Sequence, residues 1–170
     1  VDYGVYGVVT ATVGAISVLS TLGFRVVLVN SFYKSPNHYV WLWRQVYGFL
    51  SLWVVPYAIV SGLVVYFVVP SEASENIWAI LALNLIPVVT FGPASTLATT
   101  YYQINRKPIP IALRTVLFGI LTVMLNWFTI AKLKMGYMGW FWSSFITTTL
   151  LNLTYWVPLN FALRVSPIFN

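Results

Sequence analysis

The sequence predicts an all-α protein, a polytopic transmembrane bundle of five spans. Three observations carry this. Apolar stretches at about 6–29, 46–69, 77–101, 111–133 and 141–163 occupy most of the 170 residues. Each holds about twenty residues or more, and a helix rising about 1.5 Å per residue needs about that many to cross a ~30 Å hydrocarbon core. The composition agrees, with 59% hydrophobic and 7% charged residues and a mean hydropathy of +0.83. The charge also falls mainly in the short loops between the stretches, so the chain is expected to be one compact bundle with no separate soluble domain.

The first span carries Gly7, Thr10, Gly14, Ser17 and Thr21 at alternating spacings of three and four, which places them on one helical stripe. Arg25 continues the stripe. A guanidinium within a span is costly unless it is paired, hydrated or snorkelling, so Arg25 reads either as an anchor to the headgroups or as an anion-binding group facing a cavity. The second span holds Pro56. The third holds Asn84, Pro87, Gly92 and Pro93. Proline removes a backbone hydrogen bond, so both spans are expected to be interrupted, as static kinks or as hinges. The fourth span repeats the polar stripe with Thr115, Gly119, Thr122, Asn126 and Thr129, leaving Leu117, Leu121 and Phe128 for lipid or apolar neighbours. The fifth carries Ser144, Thr148 and Asn152. Such stripes serve as close helix seams or line a hydrated cavity; three together favour a shared polar interior.

The net charge is +6. In a soluble protein that balance would suggest nucleic acid, but here the cations are spread over loops and read as topology. Lys34 and Arg44 flank the first loop, Arg106, Lys107 and Arg114 the third, and Arg164 follows the last span. The second loop has Glu72 and Glu75 and no base; the fourth has Lys132 and Lys134, read as interface anchors. The positive-inside rule then puts the first and third loops and the C-terminal end in the cytoplasm, and Val1 outside. Eleven Tyr and eight Trp cluster towards span ends, as an interfacial belt would. There is no signal-peptide pattern, and Val1-Asp2-Tyr3-Gly4 reads as a loop already under way, so a longer protein is expected.

Cysteine is absent, which excludes thiol and disulfide chemistry. One histidine, His38, lies in a polar loop, and three acids, Asp2, Glu72 and Glu75, lie outside the spans. No metal spacing, phosphate loop or nucleophile–base set is present, so neither an enzyme nor a cofactor is expected. Asn152-Leu153-Thr154 matches a glycosylation sequon but falls inside a span. Gly4-Val5-Tyr6-Gly7 and Gly136-Tyr137-Met138-Gly139 form a faint internal repeat, placed by the charge pattern on the same side.

Asp2-Tyr3-Gly4-Val5-Tyr6-Gly7, followed by a helix and Leu22-Gly23-Phe24, resembles the stretch after the first helix of polysaccharide flippases in the multidrug/oligosaccharidyl-lipid/polysaccharide exporter superfamily. Tyr101-Tyr102-Gln103-Ile104-Asn105-Arg106-Lys107-Pro108 resembles the basic loop after their fourth helix. Leu125-Asn126, Ile130, Leu133 and Gly136-Tyr137-Met138-Gly139 resemble their fifth helix and its outer turn. The chain departs from the pattern at Arg25 and at Trp140-Phe141-Trp142, where small or polar residues are usual.

The resemblance implies helices two to six of an N-terminal lobe, with a preceding helix and a second lobe as partners. It further implies a bacterial or archaeal plasma membrane and flipping of a lipid-linked glycan by alternating access. The expected cavity residues are Ser17, Thr21, Arg25, Asn84, Thr122, Asn126 and Asn152, with Pro56, Pro87, Gly92 and Pro93 as hinge positions. A drug or cation antiporter of the same superfamily is the nearest alternative, but no acid lies within a span. A non-transporting membrane scaffold is a reading of a different class.

Overall fold

The computed structural model describes residues 2–169; Val1, expected on the outer side, lies outside them. The described residues form helices joined by short turns, with no strand among them. We label the α-helices α1 (Asp2–Ile16), α2 (Phe24–Lys34), α3 (Tyr39–Val68), α4 (Ile77–Ile104), α5 (Pro108–Asn126) and α6 (Tyr137–Val157).

Helix α4 is the hub, packed between α3 and α6 and also touching α2 and α5. Two apolar cores lie at opposite ends of the bundle. At one end Leu28 of α2, Trp43, Val46, Tyr47 and Leu50 of α3, Ala94, Leu97 and Ala98 of α4, and Tyr155 of α6 pack together. Trp43 satisfies its indole N–H on the Leu28 carbonyl and the Ser31 hydroxyl, both at 3.1 Å. At the other end Val5 and Val9 of α1 meet Val65, Ile80, Leu83 and Phe141, and the Tyr6 ring stacks on Trp140 at 5.5 Å.

Three helical segments are long and apolar enough to cross a membrane: Tyr39–Val68, Ser71–Ile104 and Pro108–Lys132. A fourth crossing follows if the bent pair Gly4–Ser20 and Phe24–Lys34, angled at 41°, counts as one. Helix α6 has the length, at 21 residues, but its Ser, Thr, Asn and Trp content keeps it below the hydropathy of the other three. Five equivalent spans are therefore more than length and apolarity alone support.

The first predicted span, 6–29, is not one helix. Ser17 and Ser20 donate their hydroxyls to carbonyls three residues back, to Gly14 and Ser17, each at 2.6 Å. Such local bonds compete with the helical ladder, and the chain tightens into a 3₁₀ turn over Ser17–Ser20. Leu22 (φ 46°) and Gly23 (φ 72°) then take left-handed backbone, which ends the segment and re-aims α2.

The helices are continuous at the prolines, whatever their bend. α3 runs through Pro56, and α4 runs through Pro87, Gly92 and Pro93. In α4 hydroxyls supply bonds to carbonyls around the prolines: Thr90 to Ile86 at 2.7 Å, Ser95 and Thr96 to Gly92 at 3.0 and 3.1 Å. α5 and α6 instead loosen into π turns, Trp127–Lys132 and Pro158–Ala162.

After α6 the chain folds back across α3. The Ile168 N–H bonds the Arg44 carbonyl at 3.1 Å, and the Arg44 guanidinium bonds the Ser166 carbonyl at 3.1 Å and its hydroxyl at 3.3 Å. A Cβ on Gly48 would sit 1.9 Å from the Ile168 carbonyl oxygen, so only glycine admits this crossing.

Candidate functional site

Two polar stripes meet in one groove. Thr115, Phe118, Gly119 and Thr122 of α5 face Ser144, Thr147, Thr148 and Leu151 of α6 around a volume of about 230 Å³. The 3.6-residue period brings this about. Positions 115, 119 and 122 share one face of α5, and 144, 148 and 151 share one face of α6.

Several hydroxyl protons in the groove are already used. Thr115 donates to the Ile111 carbonyl at 3.0 Å, Thr122 to Phe118 at 2.7 Å and Thr147 to Ser143 at 2.8 Å. With the proton committed to the helix backbone, each oxygen retains acceptor capacity. The groove is thus uncharged, small-residue-lined and rich in acceptors, which suits a ligand bearing hydroxyl or amide N–H donors.

Further along the chain, a buried network ties the turn after α5 to the start of α6. Thr129 lies 3.0 Å from the Ser143 hydroxyl and also bonds the Gly139 carbonyl at 3.1 Å, while Ser143 donates to that carbonyl at 2.8 Å. A Cβ on Gly139 would stand 3.0 Å from both Thr129 Oγ1 and Ile130 Cγ1. Gly136, at φ 56°, makes the turn into α6. In the other half of the faint repeat, Gly4 and Gly7 have nothing within 4 Å of such a Cβ. The two glycine pairs are therefore alike in sequence and unlike in structure.

Of the expected cavity residues, Thr122 lines the groove. Asn126 lies one turn further along α5, with a buried Oδ1 that has no hydrogen-bond partner. Asn152 is half-buried on α6 and lies outside the lining residues. Asn84 turns back onto its own helix, its amide donating to the Ile80 carbonyl at 2.7 Å. Ser17 and Thr21 belong to the break between α1 and α2. Arg25 is exposed on the first turn of α2 and donates to Oε1 of Gln103 at the far end of α4. The seven residues thus stand at several places. Gly7, Thr10 and Gly14 of α1 and Ser17 of the following turn are exposed, and a Cβ at Gly7 or Gly14 would meet nothing within 4 Å.

Arg114, read from the charge pattern as lying in or beside the third loop, stands in the second turn of α5. Its guanidinium stacks 5.1 Å from the Tyr102 centroid and 4.6 Å from that of Tyr155, and bonds the hydroxyl and carbonyl of Thr154 at 3.1 and 3.2 Å. These partners come from two other helices, α4 and α6, and no sequence spacing shows them. Three residues that line the groove stand outside the stripes read from the sequence: Phe118, Thr147 and Leu151.

No group of three or more His, Cys, Asp or Glu side chains gathers among the described residues. No family model, curated protein or solved structure matches the chain.

Proposed function

We propose that this chain is a lobe of a membrane exporter that flips lipid-linked oligosaccharide or polysaccharide repeat units by alternating access. In this reading the bent pair α1–α2 serves as one broken span. Together with α3, α4, α5 and α6 it makes five, with the 35–38 and 105–107 turns cytoplasmic. The observation that carries the proposal is the acceptor-lined groove between the apolar α5 and the more polar α6. A sugar is a dense array of hydroxyl donors, and an uncharged acceptor surface recognises it without the desolvation cost of a buried charge. The exposed polar stripe of α1 supports the same reading, as a surface that a facing lobe would complete. Arg25, exposed near the cytoplasmic end, is the group assigned to the carrier's phosphate.

The test is retention of a lipid-linked oligosaccharide by the purified chain in lipid nanodiscs, against the same carrier phosphate without sugar. The proposal expects preference for the glycan-bearing form. Thr122→Val with Thr148→Val should lower that preference about tenfold, since hydrogen bonds contribute roughly 0.5–1.5 kcal/mol each. Arg25→Ala should weaken both forms alike. Equal retention with and without sugar would refute the proposal.

A further inference from the structure

The corner where α4 turns into α5 gathers cations, and neither glutamate of the chain lies at that end. The turn is fixed by its backbone: the Arg106 N–H bonds the Gln103 carbonyl at 3.1 Å and the Lys107 N–H bonds the Tyr102 carbonyl at 2.9 Å. Arg106 takes left-handed backbone (φ 52°), and both basic side chains are exposed. They border a recess of about 540 Å³ whose remaining walls include Tyr102, Gln103, Pro108 and Ile111. Two more cations adjoin the same walls. Arg25 donates to Gln103, and Arg114 lies over Tyr102.

Seven cations occupy this end of the bundle: Arg25, Lys34, Arg44, Arg106, Lys107, Arg114 and Arg164. The acids Glu72 and Glu75 lie in the turn at the opposite end, and Asp2 opens α1 there. The two glutamates are therefore too far away to neutralise this corner. The recess combines a charged rim with the apolar Pro108 and Ile111, where α5 starts its membrane crossing. A phospholipid has that order, an anionic phosphate above an acyl chain.

We propose that the α4–α5 corner is a binding site for the headgroup of an anionic phospholipid, with Arg106 and Lys107 holding the phosphate and Ile111 seating the start of an acyl chain. A guanidinium offers two parallel donors to phosphate oxygens, and an ammonium adds a point charge. The site requires only that these helices lie in a bilayer. It is independent of the glycan-export reading.

The experiment is native mass spectrometry of the whole chain released from nanodiscs of mixed phosphatidylglycerol and phosphatidylcholine. Bound phosphatidylglycerol should exceed its share of the bilayer in the unaltered chain. Arg106→Gln with Lys107→Gln should lower its apparent affinity roughly thirtyfold, about fivefold for each surface cation removed, and leave phosphatidylcholine unchanged. Arg106→Lys should stay within a few-fold of the unaltered chain. Lys132→Gln with Lys134→Gln, at the other end, should have no effect. Retention of both lipids in bilayer proportion by the unaltered chain would overturn the proposal without reference to any variant. So would equal losses from the two double variants, which would mean diffuse attraction, or displacement of the lipid by millimolar inorganic phosphate, which would mean an ion site.

Discussion

Helices α4 and α5 are joined by the turn 105–107 and are similarly rich in Leu, Ile and Val, yet they use their apolar surface in opposite ways. α4 buries Ile80, Leu83, Pro87, Pro93, Ala94, Leu97, Ala98 and Thr100 against its neighbours. α5 buries none of its residues, and Leu113, Val116, Leu117, Ile120, Val123 and Met124 stand exposed along it. In water α5 would be a liability; in lipid it is an ordinary outer helix. Apolarity places a helix in a membrane, and the distribution of small residues says what it packs against. Ala94 and Ala98 let α3 and α6 approach α4, whereas the small residues of α5 sit only on the groove face.

This contrast sets the size of mutational effects. Ala98→Leu would overfill the core around Trp43 and Leu97, and should destabilise by about 1–3 kcal/mol. Ile120→Ala, on the exposed side of α5, should stay within about 0.5 kcal/mol. Thermal unfolding in detergent compares the two, and equal losses would erase the distinction between a protein-facing and a lipid-facing helix. A smaller effect comes from the glycines. Gly139→Ala pushes on Thr129 and Ile130 and should cost about 1 kcal/mol. Gly7→Ala meets open space and should be neutral or stabilising by up to about 1 kcal/mol, since alanine is the better helix former. If both lose stability alike, the glycine pairs are equivalent after all and the internal repeat regains structural meaning.

Much of the helical plan was legible in the sequence, because a run of twenty apolar residues admits few other structures. The stripes were legible too: Thr115, Gly119 and Thr122 meet Ser144 and Thr148 because helical periodicity fixes which positions share a face. What failed was the reading of single residues with two physical roles. Ser17 and Thr21 fitted a stripe, yet this stretch breaks the helix, because serine hydroxyls can bond nearby carbonyls as readily as line a cavity. Pro56, Pro87 and Pro93 suggested breaks, yet the helices continue through them, in α4 with Thr and Ser hydroxyls bonding carbonyls nearby. Arg114 and its two tyrosines, and Gly48 beneath the returning tail, depend on contacts between distant segments, which no local pattern encodes.

The central claim is that the face shared by α5 and α6 is polar and open to water within an otherwise apolar layer. The chain has no cysteine, so single cysteines report without background. In proteoliposomes, Thr122→Cys and Thr148→Cys should react with a water-soluble, charged maleimide, while Val123→Cys, one residue along on the exposed side of α5, should remain unreacted. Labelling of Val123→Cys as fast as Thr122→Cys, or no labelling of either groove position, would contradict the account.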